Sequence, residues 1–456
     1  MKEGAAQGGG ESLARLLLRV ALPISAQSLL TSSLNLVDNL IVGRLGETEL
    51  ASVGLANQIF FVHWMILFGF TSGTAAFMAQ FWGRRDLKNI RRTTGAAVTA
   101  NLCLSTAFFL AAMLFPERIL GIFTNIPTVI EMGAGFVRIN APSFLLLSFT
   151  VPLTAALRAT QQTSIPLRIS VFVLGTNTFL NYLLVFGSLG APALGVRGSA
   201  CATVAARSVE LALLLFVVFA RKNRIAGRPR EFFSWSGDLL RRIIRNAWPT
   251  TLNETLWGAG TSMYNAAYGR ISVTAFAAVQ AGWAIQNIFI MACFSLGDAM
   301  LIIVGEKLGR GERAEAIDTA SRILRVCVFL GLAAGGLLFL LSRRIVGLFE
   351  LTDEGARYAL LILMVYSAFL VVKVMNGTIV AGVLRCGGDT RFAMMGEVCC
   401  VWLIGVPLAF IGARALMLPV YWVVLLVHVQ ELTELFIMLR RVRSKKWAKT
   451  LIKGVD

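Results

Sequence analysis

At 456 residues, with 56% hydrophobic and only 15% charged side chains, the chain has too little polar surface to clothe a soluble domain of that size. Its formal net charge of +18 would suit a nucleic-acid binder, but the basic residues fall mostly between apolar runs, where they act as topology signals in an integral membrane protein. The 7 cysteines lie nearly all inside apolar runs and none has a metal-type CxxC spacing, so they read as small buried hydrophobes and not as a zinc or redox site.

Residues 1–12 (MKEGAAQGGGES) are polar and Gly-rich, show no cleavable signal peptide, and are expected to form a disordered tail. A membrane helix needs about 20 mainly apolar residues. Such stretches are predicted near 14–43, 50–82, 93–115, 127–158, 164–188 and 196–220, and again near 240–269, 274–306, 316–341, 356–385, 392–413 and 416–439. Between the two sets, 221–237 (RKNRIAGRPREFFSWSG) is a polar linker, and 441–456 is a basic tail. The expected fold is an all-α membrane protein of twelve transmembrane helices, with an N-lobe over 13–220 and a C-lobe over 238–440.

The two lobes read as copies of one another. Residues 21–84 lie on 247–310 at a constant shift of 226 without a gap, pairing Pro23 with Pro249, Gly43 with Gly269, Thr48 with Thr274, Phe68 with Phe294, Gly83 with Gly309 and Arg84 with Arg310. Six spans per copy make the repeats parallel, about an axis along the membrane normal, and the expected cleft between them faces one side of the bilayer at a time. Pro23 and Pro249 remove a backbone donor near the start of the first helix of each repeat, which predicts bending there. Arg84, Arg85, Lys88, Arg91 and Arg92, the linker and the tail concentrate positive charge on alternate loops, so both termini are expected in the cytoplasm.

Along the first helix Gln27, Thr31, Asn35 and Asp38 are spaced by four, four and three, within about 80° of arc, and form one polar stripe. Small polar residues of this kind also glue membrane helices together. Asp38 differs, because a carboxylate at this depth costs about 2.5–3.5 kcal/mol and should face a partner or a wet cavity. Burial penalises its charge and a bound cation compensates it, so this one group can trade a proton against Na⁺ or substrate. The seventh helix repeats the pattern with Thr250, Glu254, Trp257, Thr261, Asn265 and Tyr268. That face suits a flat organic cation, neutralised by Glu254 and covered by aromatic rings, or else an ordinary helix contact in which the rings only pack. Asp298, Glu397 and Lys373 are further ionisable groups inside spans, Arg207 and Glu210 read as a local ion pair, and His63 and His428 as packed side chains.

The segment ALPISAQSLLTSSLNLVDNLIVGRLGETELASVG, with Pro23, Asp38, Gly43, Leu45, Gly46 and Leu50, resembles the opening of the multidrug and toxic compound extrusion (MATE) transporters. LTAALRAT, IIVGEKLGRGE and VAGVLRCGGDT resemble later family segments, so the likeness covers nearly the whole chain. It implies a two-lobed twelve-helix bundle that exchanges drugs or metabolites against H⁺ or Na⁺. Asp38 matches the acid of the family's first helix, and Asn177, Asn181 and Thr203 match polar positions around it. Some members carry an aspartate where this chain has Asn181; the asparagine resembles the NorM-like branch. NETLWG, from Asn253, resembles the seventh helix of a broad group of bacterial members, although Glu254 lies nearer the proline than the NorM-like pattern has it.

Together these readings predict a bacterial inner-membrane antiporter for small amphipathic, cationic compounds, monomeric, with no cofactor beyond the coupling ion and no nucleic-acid partner. Cation coupling is expected at Asp38, Asn177, Asn181, Thr203 and Glu254, with Na⁺ at Asp38 as the one metal to consider. The substrate cavity is expected to draw on Gln27, Thr31, Asn35, Asn253, Trp257, Thr261, Tyr268 and Asp298. The rival is a flippase for a lipid-linked precursor, which would need a more cationic cavity than Arg138, Arg207 and Lys373 supply. An enzyme would need a nucleophile with its base, or a zinc motif, and none is apparent.

Overall fold

A computed structural model describes residues 12–347 and 352–454, apart from the side chains of Asn35, Leu36 and Ala292. Residues 1–11 of the expected tail, and the side chain of the candidate Asn35, lie outside the described residues. Twelve long helical segments carry the fold, and no strand occurs among the described residues. They are α1 (Leu13–Gly43), α2 (Glu47–Gly83), α3 (Leu87–Leu114), α4 in two pieces (Pro127–Asn140 and Pro142–Ala159), α5 (Ser164–Phe186), α6 (Val196–Ala220), α7 (Gly237–Gly269), α8 (Val273–Arg310), α9 (Arg313–Val346), α10 (Asp353–Leu384), α11 (Thr390–Ala415) and α12 (Val420–Arg443). Each stretch predicted from the sequence falls on one of these segments, apart from residues 115, 141, 187–188 and 416–419, which lie outside them. Eleven are long and apolar enough to cross a membrane; α7 is 33 residues long but carries Asp238, Arg241, Arg242 and Arg245 in its first turns.

Local chemistry sets the boundaries. Side chains cap the starts of α3, α8 and α10: Asp86 accepts from the Asn89 N–H (2.9 Å), Ser272 from Ala275 (3.0 Å) and Thr352 from Gly355 (3.2 Å). Gly311 ends α8 at φ +84°, a left-handed turn that glycine adopts without strain. The fourth span differs from its prediction in being divided at Ala141, because Pro142 supplies no N–H to continue the first piece and sits well at the start of the second.

The chain forms two compact units. Among the described residues one contains 12–25, 79–84 and 248–454, and the other contains 26–78 and 85–247. These follow the sequence halves except at the first turns of α1, the end of α2 and the start of α7. The change of unit falls at Ser25 in α1, two residues after Pro23, and at Ala247 in α7, two residues before Pro249. The division expected at 221–237 therefore sits inside α7.

In the unit built from 26–78 and 85–247, Val42, Val53, Ala56, Phe136, Phe144 and Ala200 belong to one apolar core. Phe60 stacks on Phe144 at 4.6 Å, and His63 lies edge-on to the same ring while its Nε2 meets Ser105 Oγ at 2.9 Å, the packed histidine the sequence suggested. The polar linker is docked here. Arg91 pairs with Glu231 at 2.7 Å, Ile225 and Phe232 are buried, and Gly95 lies so close to the Phe232 carbonyl that a Cβ would fall 1.8 Å from it.

In the other unit, Tyr268, Ala275, Val279, Ile362, Tyr366 and Val424 share an apolar core. His428 packs between the rings of Tyr366 and Phe369, and its Nδ1 lies 2.8 Å from the Val424 carbonyl. The duplication is visible as a reciprocal contact: Gly83 faces the carbonyl of Glu306, and Gly309 faces the carbonyl of Gln80. A Cβ would fall 2.1 and 1.9 Å from those oxygens, so only glycine permits the approach. Cys293, Cys327, Cys386 and Cys400 are buried as expected, whereas Cys201 is half-buried and Cys103 and Cys399 are exposed.

Candidate functional site

The expected polar stripe of α1 separates into two parts. Gln27 is a tether: its Nε2 donates to Ser170 Oγ (3.0 Å) on α5 and its Oε1 accepts from Arg158 (2.7 Å) at the end of α4. Thr31 is exposed and turns its hydroxyl back to the Gln27 carbonyl at 3.0 Å, so it satisfies its own helix. Asp38 is half-buried, and its Oδ1 accepts a 2.7 Å hydrogen bond from Nδ2 of Asn181, a fully buried side chain on α5. Asn177 lies one turn earlier, and its Oδ1 accepts from the same Nδ2 at 3.3 Å.

Asn181 thus spends its amide donor on two oxygens, while its own buried Oδ1 has no hydrogen-bond partner. An orphaned amide oxygen beside a carboxylate is a ready acceptor for a proton-bearing group or a ligand for a small hard cation. Arg207 on α6 pairs with Glu210 at 2.8 Å, as predicted. Thr203, expected beside the acid, donates to the Ser199 carbonyl of its own helix at 3.0 Å. Among the described residues no cluster of three or more His, Cys, Asp or Glu side chains could hold a metal ion, so Na⁺ at Asp38 would depend on the amide oxygens around it.

A second polar cluster lies inside the other unit. Glu254, expected to couple a cation, is ion-paired with Arg385, whose side chain is 2% exposed, so its charge has a partner within the protein. Asn253 donates to Glu397 at 2.8 Å on α11, Lys373 lies 3.5 Å from Glu431, and Asn376 donates to Glu431 at 2.9 Å. Gln430 donates to Glu434 at 2.7 Å. Four glutamates therefore surround two cations, a balance of −2 if all are ionised, and the buried Oδ1 atoms of Asn253 and Asn376 have no hydrogen-bond partner. Such a cluster is stable only if protons or a further cation complete its charge.

The aromatic face expected on α7 is only partly realised. Trp257 is half-buried, and its carbonyl accepts the Thr261 hydroxyl at 3.0 Å. Tyr268 is 5% exposed and is packed into the apolar core, because its turn of α7 lies under α8, α10 and α12 and not on an open face. Asp298 sits half-buried on α8.

Comparison with known proteins places this geometry. The family model described as MatE matches the chain twice, over residues 23–183 and 250–411, once in each repeat. The chain belongs to the MatE family.

As a MatE chain it is a multi-pass transporter and not an enzyme. It is 23% identical over 400 residues to a probable multidrug resistance protein NorM of Thermotoga maritima, covering 87% of this chain and 85% of that protein. It is 26% identical over 402 residues to a probable multidrug resistance protein YoeA of Bacillus subtilis (85% and 84% covered), and 27% identical over 425 residues to the multidrug resistance protein NorM of Burkholderia vietnamiensis (87% and 88%). The fold matches a crystal structure of MATE in the straight conformation with a TM-score of 0.87, at 17% identity, over 96% of this chain and 97% of that one. A MOP superfamily transporter from Pyrococcus furiosus matches with a TM-score of 0.86, at the same identity and coverage.

Sequence reasoning missed Arg385, Glu431 and Glu434 in this MatE chain. The signal was present for the two glutamates, which stand three apart within the apolar run of α12. It was masked by the nearby Arg440 and Arg441, which make that run read as the polar end of the last span. Arg385 had no local signal, because its partner Glu254 lies on a helix 131 residues earlier.

Proposed function

We propose that this protein is a secondary antiporter of the bacterial plasma membrane that exports small amphipathic cationic compounds in exchange for H⁺ or Na⁺. The observation that carries the reading is the half-buried Asp38 held by the amide nitrogen of Asn181, whose own side-chain oxygen has no hydrogen-bond partner. A group that only stabilised the fold would be fully satisfied at this depth. The names of the relatives support export of drugs, and the solution of a similar chain in both straight and bent conformations supports a cycle of at least two states.

In this cycle the coupling ion is taken up at Asp38, with the amide oxygens of Asn181 and Asn177 as its further ligands or acceptors. Its binding favours the state that releases substrate outside, and by no more than its difference in affinity between the two states. The Glu254–Arg385 and Lys373–Glu431 pairs hold the second cluster, where Glu397 and Glu434 are bonded by the neutral amides of Asn253 and Gln430. Glu254 itself positions Arg385 and leaves the exchangeable charge to those acids.

The test is transport by purified protein in vesicles, following a fluorescent organic cation with a pH gradient or a Na⁺ gradient imposed separately. The parent is expected to move the cation under one gradient, and Asp38→Asn to lose gradient-driven transport while keeping part of its substrate binding. A parent inert under both gradients, or an Asp38→Asn variant as active as the parent, would overturn the reading.

A further inference from the structure

The basic tail beyond α12 is more than a run of charges. Trp447 and Ile452 are buried, with exposures of 1% and 0%, while Lys445, Lys446, Lys449 and Lys453 are exposed. The segment therefore has an apolar inner face and a cationic outer one. Its backbone is pinned by Gln80, whose Oε1 accepts from the Leu451 N–H at 2.7 Å and whose Nε2 donates to the carbonyls of Cys386 (2.8 Å) and Lys449 (3.2 Å). Arg84 donates to the Ile452 carbonyl, Thr450 to the Leu308 carbonyl, both at 3.3 Å, and Arg313 to the Lys445 carbonyl at 3.0 Å. Gly387 packs against the Trp447 carbonyl so tightly that a Cβ would lie 1.9 Å from it.

This docking builds a cavity of about 460 Å³ whose charged lining is wholly positive: Arg313, Arg441, Lys446, Lys449 and Lys453. Among the described residues the acid bonded to that lining is Asp389, which takes Arg441 at 2.6 Å and Lys449 at 3.7 Å. Arg313, Arg441, Lys446 and Lys449 against this carboxylate leave a positive excess in a space large enough for a phosphate group. Arg313 is the first residue of α9 and Arg441 lies in the last turn of α12, so the cavity sits at the ends of two helices long and apolar enough to cross a membrane.

We propose that this cavity binds the phosphate-bearing headgroup of an anionic membrane lipid and that the lipid fastens the tail to the end of the bundle. The ligand chemistry follows from the lining: Arg313 and Arg441 offer planar donor forks to phosphate oxygens, and the lysines offer mobile point charges around them. The membrane is the source, in preference to a soluble anion, because the cavity lies at the ends of spans. Naming the cytoplasmic leaflet rests on the topology proposed above; binding itself does not, and it is measured without transport.

The test uses the full chain in nanodiscs of phosphatidylcholine alone or with phosphatidylglycerol, reading the unfolding temperature and the lipid retained on mild extraction. Phosphatidylglycerol is expected to raise the unfolding temperature of the parent and to be retained by it. The triple variant Lys446→Gln, Lys449→Gln, Lys453→Gln is expected to lose both effects, and the corresponding three-arginine variant to keep them. Replacing Lys222, Arg228 and Arg230 of the linker by Gln removes the same charge elsewhere and is expected to change neither. Equal loss in the linker variant, retention in the lysine-to-glutamine variant, or full stabilisation by inorganic phosphate in phosphatidylcholine discs would each overturn the proposal, the last by showing a soluble anion as the ligand. None of these results bears on whether Asp38 couples transport.

Discussion

A carboxylate removed from water keeps its charge only where something replaces the lost solvation, and Asp38 and Glu254 meet that need in different ways. Asp38 has a neutral amide donor from Asn181, which leaves room for an exchangeable ion. Glu254 has a buried guanidinium, which leaves none. Glu254→Gln should therefore act first on stability, since it breaks the ion pair made by the buried Arg385 guanidinium: a loss of about 3–5 kcal/mol is expected, read as a lower thermal midpoint in detergent. Replacing both partners, Glu254→Gln with Arg385→Gln, should recover most of that loss. If the double variant were no better than the single one, the pair would not be the source of the effect.

At the scale of elements, the crossing of α2 and α8 depends on two glycines, each facing the other helix's backbone. Gly83→Ala and Gly309→Ala should each destabilise by about 1–3 kcal/mol, because the added methyl meets a carbonyl that cannot turn aside. Gly54→Ala on α2 has nothing within 4 Å of the new Cβ and should be neutral or slightly stabilising through helix propensity. Unfolding of the three variants side by side checks this, and equal effects would show that the crossing tolerates side chains. The repeat at a shift of 226 already paired Gly83 with Gly309, but only the packing showed that the partners touch each other's helices. The helices themselves were legible because apolar runs of span length have few alternatives. The break in α4 was not read, although Pro142 was visible, because a proline in a span can bend a helix as well as divide it.

At the scale of the whole molecule, the C-terminal segment secures the end of the bundle through one large side chain and a set of backbone contacts. Trp447→Ala should cost about 3–5 kcal/mol, the range for truncating a buried aromatic. Limited proteolysis should then cut the tail after Arg443 far faster than in the parent, and unchanged protease resistance would show that the backbone contacts suffice alone. Taken by itself, the sequence determined the membrane class, the twelve helices, the internal duplication and the acid of the first helix, since each is written in composition, period or a repeat along the chain. Tertiary structure alone decided that the Asn181 amide bonds Asp38, that Glu254 meets Arg385, that Tyr268 is core, and that the basic tail lines a pocket. The physical reason is the same in each case: periodicity says which face a side chain occupies on its own helix, but its charge and hydrogen-bonding capacity are completed by residues far away in the chain, and only packing brings those together.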